Sequence, residues 1–444
     1  MNDESRAYLG KQHTRMENML TGWKGRFFTI WIGQQLSWIG SSLAQFALVW
    51  WITRTTGSAT ILALGVLISV LPGVVLGPFA GALVDRWSRR RVLIVADGVV
   101  ALASLTLALL FWSGAIRVWH IYVVMLIRAI GGTFHWPAMT ASTPLMVPQR
   151  YLSRVSGLNQ AMGGAVNIIS PPLGALLLNL LPLHQIMAID VITAAFAIAP
   201  LFFIPIPQPE RTTGLVRPTV WADMRAGFRY VWSWPGLLAV CLLATVLNFL
   251  INPPMALMPI LVTRHLGGEA MRLAWMNSSW GAGLVVGGLA LSAWGGFRRR
   301  IVTMLMGIVG MGIGVVLVGL TPASFFALAP IGLFFGAAMN ALCNGSAFAV
   351  LQQVVAPEVQ GRVFTLVSSL CGAMTPLSMA VAGPLADAVG VRTLYVVGGA
   401  ITILLGAGAF FVPVIMHIED NHRTSPVSEQ ILETAPVPVG VDTA

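Results

Sequence analysis

The sequence predicts an all-α polytopic membrane protein with twelve transmembrane helices in two six-helix bundles, and three observations predict it. Twelve apolar stretches follow one another between about Phe27 and Met416, each near the roughly 20 residues that a helix needs to cross a hydrocarbon core of about 30 Å. Only 9% of the 444 residues are Asp, Glu, Lys or Arg and 56% are hydrophobic, with a mean hydropathy of +0.80, far from the composition of an ordinary soluble domain. The longest internal polar connection opens on the Pro-rich run Pro205 to Glu210 and divides the stretches six and six.

The predicted spans of the first bundle are 27–52, 58–84, 92–113, 118–141, 155–181 and 184–206. Those of the second are 236–263, 272–296, 301–321, 324–354, 361–388 and 391–416. The expected domains are a cytoplasmic tail 1–25, a bundle 26–206, a cytoplasmic linker 207–235, a bundle 236–416 and a tail 417–444. The leading tail carries Arg6, Lys11, Arg15 and Lys24 but lacks the short apolar core and small-residue cleavage site of a removable signal, so insertion is expected to use the first span itself. In the linker, Trp221, Met224, Phe228 and Val231 recur at helical spacing opposite Asp223, Arg225 and Arg229, which predicts a short helix on the inner membrane surface; a solvated linker with incidental periodicity is the alternative. After His417 the chain turns polar and Pro-containing, the composition of a disordered tail.

The formal charge of +10 does not point to nucleic acid, because the basic residues sit in short loops beside apolar helices. Of the 26 Lys and Arg, Arg54, Arg117, Arg264, Arg272 and Arg392 fall on one side of the predicted membrane, Arg128 falls inside it, and the other 20 fall on the opposite side. That bias places both termini in the cytoplasm. Cys241, Cys343 and Cys371 all lie within apolar spans, where each is expected to pack as a small hydrophobe rather than to bridge or to bind metal.

The halves repeat weakly. Val147 to Leu158, VPQRYLSRVSGL, is echoed by Ala356 to Leu366, APEVQGRVFTL, and the triplet Arg89, Arg90, Arg91 by Arg298, Arg299, Arg300. Duplication of a six-helix unit is how secondary transporters build a site between two bundles.

The strongest local motif is GALVDRWSRRR, Gly81 to Arg91, in the turn after the second span. Gly81 would permit close helix approach, Asp85 would accept hydrogen bonds from a helix terminus or an arginine, and Arg86, Arg89 and Arg90 would hold the turn at the inner surface. The run resembles the signature loop of the major facilitator superfamily, which implies a gating role for these residues. Ser88 stands where that family usually has Gly, and in the second-half copy Ser292 stands where an Asp would be.

Arg128 is the most costly residue in the chain, since an arginine deep in a transmembrane helix carries a penalty of roughly 2.5 to 3.5 kcal/mol on insertion scales. It must face protein or water. Its run LIRAIGG is placed like the helix 4 arginine of the same superfamily, which implies a part in proton transfer; a structural arginine holding carbonyls or a carboxylate is the other reading. Among the 16 acidic residues only Asp97 and Asp190 fall well inside predicted spans. At 1.5 Å per residue, Asp190 lies about 9 Å and Arg128 about 15 Å below the outer surface, so the two are compatible in depth. Asp97 lies nearer the cytoplasm and is expected in the network around Asp85. If transport is proton-coupled, one of these two carboxylates is the expected carrier, with His135, seven residues from Arg128 on the same face, a further candidate.

Polar side chains are unequally shared among the spans. The first has Gln34, Trp38, Ser42 and Gln45 along one face, the fifth Gln160 and Asn167, the seventh Asn248 and Asn252, and the tenth Asn340 and Asn344, while the ninth and twelfth have almost none. Buried amides need partners or water, so the first group is expected around an aqueous cavity, with some amides joining helices instead, and the second group is expected to face lipid. Trp31 and Met339 would add apolar surface to a substrate cavity poor in charge. The superfamily resemblance implies that helices 1, 4, 7 and 10 line it.

In the fifth span, NIISPPLGALLL places Ser170, Pro171 and Gly174 like the Gly, Pro and Gly motif of exporter branches of the superfamily, with Ser in place of the first Gly. Prolines there would kink the helix and small residues would allow tight packing. The stretches LVDRWSRRRVLIVAD, LIRAIGGTFHWPAMTASTPLMVP, MAIDVI and PEVQGRVFTL further resemble the macrolide-efflux and enterobactin-exporter subfamily. That resemblance implies export of hydrophobic drugs such as macrolides, from the cytoplasm or inner leaflet of a bacterial cytoplasmic membrane, by proton antiport with alternating access.

Other classes fit less well. There is no glycine loop ending in Lys and Ser or Thr, and the only lysines are Lys11 and Lys24, which argues against an ATP-driven pump. Neither HExxH nor GxSxG occurs, so an enzyme is not expected. The expected partners are the lipid bilayer, an amphipathic small molecule and protons, with no nucleic acid, cofactor or metal, acting as a monomer. An exporter of a siderophore or metabolite is the alternative, ahead of a nutrient importer or a non-transporting sensor; an anionic siderophore would want several basic residues in the cavity, where only Arg128 is in view.

Overall fold

The computed structural model describes residues 22–207, 220–355 and 357–420. In chain order the helices of the first half are α1 Trp23–Thr56, α2 Ala59–Arg86, α3 Arg89–Trp112, α4 Val118–Met146, α5 Leu152–Leu180 and α6 Leu183–Phe203. They are followed by α7 Val220–Ser233, α8 Pro235–Ala256, α9 Met258–His265, α10 Ala270–Trp294, α11 Arg300–Leu320, α12 Leu328–Val354, α13 Pro357–Val389, α14 Val391–Ala409 and α15 Pro413–Met416. Ten of these are long and apolar enough to cross a membrane. α1 and α10 match them in length, but polar side chains such as Gln34, Gln35 and Ser41 on α1 and Asn277, Ser278 and Ser279 on α10 dilute their apolar character.

The seventh predicted span is not one helix. α8 ends at Ala256 and α9 begins at Met258, with Leu257 outside helical geometry between them. Pro253, Pro254 and Pro259 each lack the N–H that would close a helical turn, and three of them within seven residues break the run. The Tyr395 hydroxyl of α14 donates to the Pro254 carbonyl.

The described residues form two compact units: 22–207 with 258–278, and 220–257 with 279–420. In the first, α1 packs on α6 and α5, α2 on α4, and α3 on both α4 and α6. Small residues set the α1–α6 distance: a Cβ on Gly33 would lie 2.6 Å from the Phe196 carbonyl oxygen. Ile30, Val84, Leu93, Ala138 and Leu201 close an apolar core among α1, α2, α3, α4 and α6.

In the second unit α11 runs between α12 and α14. The expectation that this span faces lipid is corrected here, since α11 is the most buried of the ten apolar spans. A Cβ on Gly314 would lie 2.6 Å from the Gly332 carbonyl oxygen, and one on Gly312 2.8 Å from that of Gly399. Lipid tails are as apolar as leucine, so lack of polarity does not send a helix outward; glycines that admit neighbouring backbones draw it inward. α14 keeps one open side, with Val397, Ile401 and Leu404 exposed.

The linker does form a helix, α7. It rests through Tyr230 and Val231 on Leu237 of α8 and Val359 and Val363 of α13, while Phe228 and Trp232 stack on each other, exposed, 5.5 Å apart. The side chains of Trp221, Asp223 and Met224 lie outside the described residues. Beyond α15, Ile418 is buried, the Ile301 N–H of α11 donates to Glu419 Oε1 at 3.0 Å, and Arg299 pairs with Asp420 at 3.3 Å. Two acidic side chains thus close the amino-terminal end of α11, where the helix dipole favours them.

The packing of α11 predicts a contrast between two glycines. Gly314→Val, which overpacks a backbone contact, is expected to lower the thermal unfolding midpoint of the purified protein by the equivalent of about 1–3 kcal/mol, whereas Gly408→Val, at a glycine with nothing within 4 Å, should leave it near wild type. Equal midpoints for the two variants would contradict the packing.

Candidate functional site

Two buried polar networks occupy the first unit. In one, Asp190 of α6 is fully buried and accepts hydrogen bonds from Ser41 of α1 through Oδ1 at 2.8 Å and from Ser104 of α3 through Oδ2 at 2.6 Å. The same Oδ2 accepts Nη1 of Arg128 on α4 as an ion pair. Arg128 also donates to the Ser104 hydroxyl and, through Nη2, to the Ser41 carbonyl at 3.4 Å. Four helices therefore meet on one carboxylate, whose charge is matched by a guanidinium and whose remaining acceptor capacity is met by hydroxyls.

The other network joins three helices. Gln34 Nε2 of α1 donates to Asp97 Oδ2 of α3 at 2.8 Å, while His135 Nε2 of α4 lies 3.2 Å from Asp97 Oδ1 and 2.8 Å from Gln34 Oε1. The His135 side chain is 25% exposed against 9% for Asp97. The expectation that Asp97 belongs with the arginine turn is corrected: its partners among the described side chains are Gln34 and His135, because α1 and α4 present an amide and an imidazole at the depth of Asp97. His135 Nε2 faces two acceptor oxygens, so the ring presents its N–H to them and shares it between the carboxylate and the amide.

The arginine turn divides its work. Arg89 of α3 is buried and donates to the Ala141 carbonyl of α4 at 2.7 Å. Arg90 donates through Nε to the Leu201 carbonyl and through Nη2 to that of Phe202 at 2.5 Å. These are last-turn carbonyls of α6 that no helical N–H reaches, and a cation there also suits the helix dipole. Arg86 is exposed. A Cβ on Gly81 would meet nothing within 4 Å, so this glycine does not serve close helix approach. The Asp85 side chain lies outside the described residues.

The second unit holds a cavity of about 420 Å³. Asn248, Asn252, Asn340 and Asn344 all line it. Asn252 donates to Thr375 Oγ1 at 2.9 Å, Asn340 to Met311 Sδ at 3.2 Å, and Asn344 to Asn340 Oδ1 at 3.0 Å. Trp280, Met311 and all three cysteines share the lining, and no charged side chain does. Residues named for a cavity on α1 are differently placed. Trp31 is buried in an apolar cluster with Trp23, Phe27 and Val155, and its indole N–H donates to Asn159 Oδ1 at 2.7 Å. Gln34 is spent on Asp97. Trp38 is exposed, with its ring edge 3.3 Å from where a Gly163 Cβ would stand, and Gln45 is half-buried. Met339 packs on Gly307 and Gly310 of α11 instead of lining the cavity.

On α5, Ser170 is buried and a Cβ on Gly174 would come 2.9 Å from the Phe46 ring of α1, so the glycine seats that ring. Helical geometry continues through Pro171 and Pro172. Pro172 has no N–H for the Ile168 carbonyl four residues earlier, and within the same unit Ser278 Oγ of α10 donates to that carbonyl at 2.6 Å. Beside it Ala175 of α5 packs on Ala270 and Ala274.

Sequence reasoning missed Ser41, Ser104, Ser278 and Trp280. For Ser278 a signal existed, since a proline inside a span always leaves a carbonyl to be met. Serines 41 and 104 are like any other hydroxyl in the sequence.

Comparison with known proteins gives a consistent picture. A family model described as transmembrane secretion effector matches residues 23–441. Macrolide efflux protein A of Streptococcus pyogenes is 32% identical over 396 residues, which cover 89% of this chain and 97% of that protein. Multidrug efflux pump Tap of Mycolicibacterium fortuitum is 27% identical over 399 residues, 86% of this chain and 94% of that one. Among solved structures, a POT family transporter aligns with a TM-score of 0.66 at 12% identity, over 89% of this chain and 96% of that chain. The nucleoside transporter NupG aligns at 0.59 and 15% identity, over 86% and 98%. At such identities the likeness to the solved structures is one of fold.

The proline-freed carbonyl predicts a coupled pair. Ser278→Ala is expected to destabilise the protein by about 0.6 kcal/mol, the usual size of a hydrogen bond between membrane helices. In a Pro172→Ala background, where the Ile168 carbonyl regains an N–H, the same substitution should cost close to nothing. Equal costs in both backgrounds, read from thermal unfolding of the purified variants, would contradict the pairing.

Proposed function

This chain belongs to the transmembrane secretion effector family, and on that premise we propose that it exports hydrophobic, neutral or weakly basic drugs such as macrolides by proton antiport. It is a multi-pass membrane transporter with the major facilitator fold. On this reading it works in a bacterial cytoplasmic membrane with both termini inside, as the distribution of arginine supports, and moves cargo by alternating access from the cytoplasm or inner leaflet.

The observation that carries the reading is the coexistence of a satisfied and an exchangeable carboxylate in one unit. Asp190 has its acceptor sites taken by Arg128, Ser41 and Ser104, so adding a proton there would break the junction of four helices. Among the described residues Asp97 faces an amide and an imidazole, and His135 gives it a partly exposed neighbour through which protons would pass. Asp97 with His135 is the proton carrier on this reading, and Arg128 with Asp190 is the fixed ion pair that holds α1, α3, α4 and α6 while the carrier titrates. Loss of the Asp97 charge weakens the hydrogen bond from Gln34, since a neutral carboxyl accepts less strongly than a carboxylate, which loosens α1 from α3 and supplies the step that couples protonation to movement.

Cargo is assigned to the amide-lined cavity of the second unit. Walls without charge and with Trp280, Met311 and four asparagines suit a bulky amphipathic molecule with a few hydrogen-bonding groups. The same walls disfavour an anionic siderophore, which would leave its charge unpaired.

Bacteria lacking their own pumps and making this protein are expected to accumulate less macrolide and less fluorescent cationic dye, and a protonophore should abolish the difference. Asp97→Asn should abolish it as well, with the variant still in the membrane. Unchanged accumulation with the wild-type protein present in the membrane would remove the drug reading, and full activity of Asp97→Asn would remove the assigned carrier.

A further inference from the structure

Of the three arginines that open α3, Arg91 alone has no partner among the described residues. It is exposed and makes no hydrogen bond or ion pair with any described residue, whereas Arg89 and Arg90 bind backbone carbonyls. Arg91 stands at one end of a groove of about 430 Å³ in the first unit, between α3 and α4. Trp87 and Ser88 share that end; Trp87 is exposed with its ring 6.2 Å from that of Phe134, and the Ser88 hydroxyl makes no capping bond to its own helix. Away from this end the walls are apolar, formed by Val95, Val99 and Ile130.

The groove opens on a face that meets lipid. Val95 is 62% exposed, and Val99, Leu102 and Leu109 continue the same open apolar stripe along a helix that crosses the membrane. Its floor exists because of Gly131, where a Cβ would come within 3.0 Å of Val100 and 3.4 Å of the Ala96 carbonyl. From Arg91 to Val99 is eight residues, or about 12 Å of helix, close to the half-thickness of a hydrocarbon core of about 30 Å. The groove is therefore one leaflet deep, with a cation, a hydroxyl and an indole at headgroup level and an apolar channel beneath them.

We propose that this groove binds an anionic glycerophospholipid of the arginine-rich leaflet, its phosphate on Arg91 and Ser88 and one acyl chain lying along Val95 and Val99 between α3 and α4. A free phosphate would leave the apolar channel uncovered, and a zwitterionic lipid would bring a second cation towards Arg91. A basic side chain near an anionic headgroup favours binding by about fivefold. The proposal does not depend on the export reading, because neither Asp97 nor the cavity of the second unit takes part in it.

The test is native mass spectrometry of the full-length protein in neutral detergent, titrated with phosphatidylglycerol or with phosphatidylcholine of the same chains. Wild type is expected to retain phosphatidylglycerol about fivefold better than phosphatidylcholine. Arg91→Gln should erase that preference, Arg91→Lys should keep it, and Arg225→Gln, at an exposed arginine on α7, should leave it as in wild type. Val99→Trp, which fills the channel, should weaken retention of both lipids. The proposal is overturned if wild type shows no preference, if Arg91→Gln behaves as wild type, if Val99→Trp binds normally, or if millimolar inorganic phosphate or a macrolide displaces the lipid as readily as more phosphatidylglycerol does.

Discussion

A guanidinium and a carboxylate in a hydrocarbon setting have to find each other, and the first unit is arranged around the place where Arg128 and Asp190 do so. Neither charge is tolerable alone at that depth. Together with Ser41 and Ser104 they tie α1, α3, α4 and α6 to a single point. Near the other end of the same helices, Arg89 and Arg90 tie the start of α3 to carbonyls of α4 and α6. Between these two fixed levels lies Asp97 with Gln34 and His135, and in the proposed antiport the pinning on either side is what lets that group change its charge without loss of the bundle.

The second unit is built on another principle. It has no counterpart of the buried ion pair among the described residues, and α11 is held by glycines that bring it against the backbones of α12 and α14. Beside that close packing, α8, α10, α11, α12 and α13 together line a cavity with amide walls. One unit thus carries the charge and the other the room, and the proposed antiport assigns the proton to the first and the cargo to the second.

Much of this was legible in the sequence, and what escaped it did so for physical reasons. Length and apolarity give the spans because the bilayer imposes both. The Arg128 and Asp190 pairing follows from depth alone, since so few charges lie inside the membrane. The asparagines around the cavity follow from their spacing on α8 and α12. Polarity could not place α11, because lipid and protein interior are equally apolar, and only its run of glycines carried that information. Asp97 was assigned to the wrong neighbours because depth does not fix which side of a helix a carboxylate faces. Trp31 was named for a cavity and is packed in a cluster, since an indole suits both surroundings until its N–H finds Asn159. The break at Leu257 was written in its three prolines, which the apolar pattern masked.

A double-substitution cycle on thermal stability measures whether the Arg128 and Asp190 charges matter to one another rather than to a moving proton. Arg128→Met and Asp190→Leu should each destabilise the purified protein by about 3–5 kcal/mol, because each leaves a buried charge uncompensated. The double variant, with no charge left to satisfy, should recover most of that loss. Additive losses in the double variant would show two independent charges, and two single variants as stable as wild type would show that neither charge needs the other.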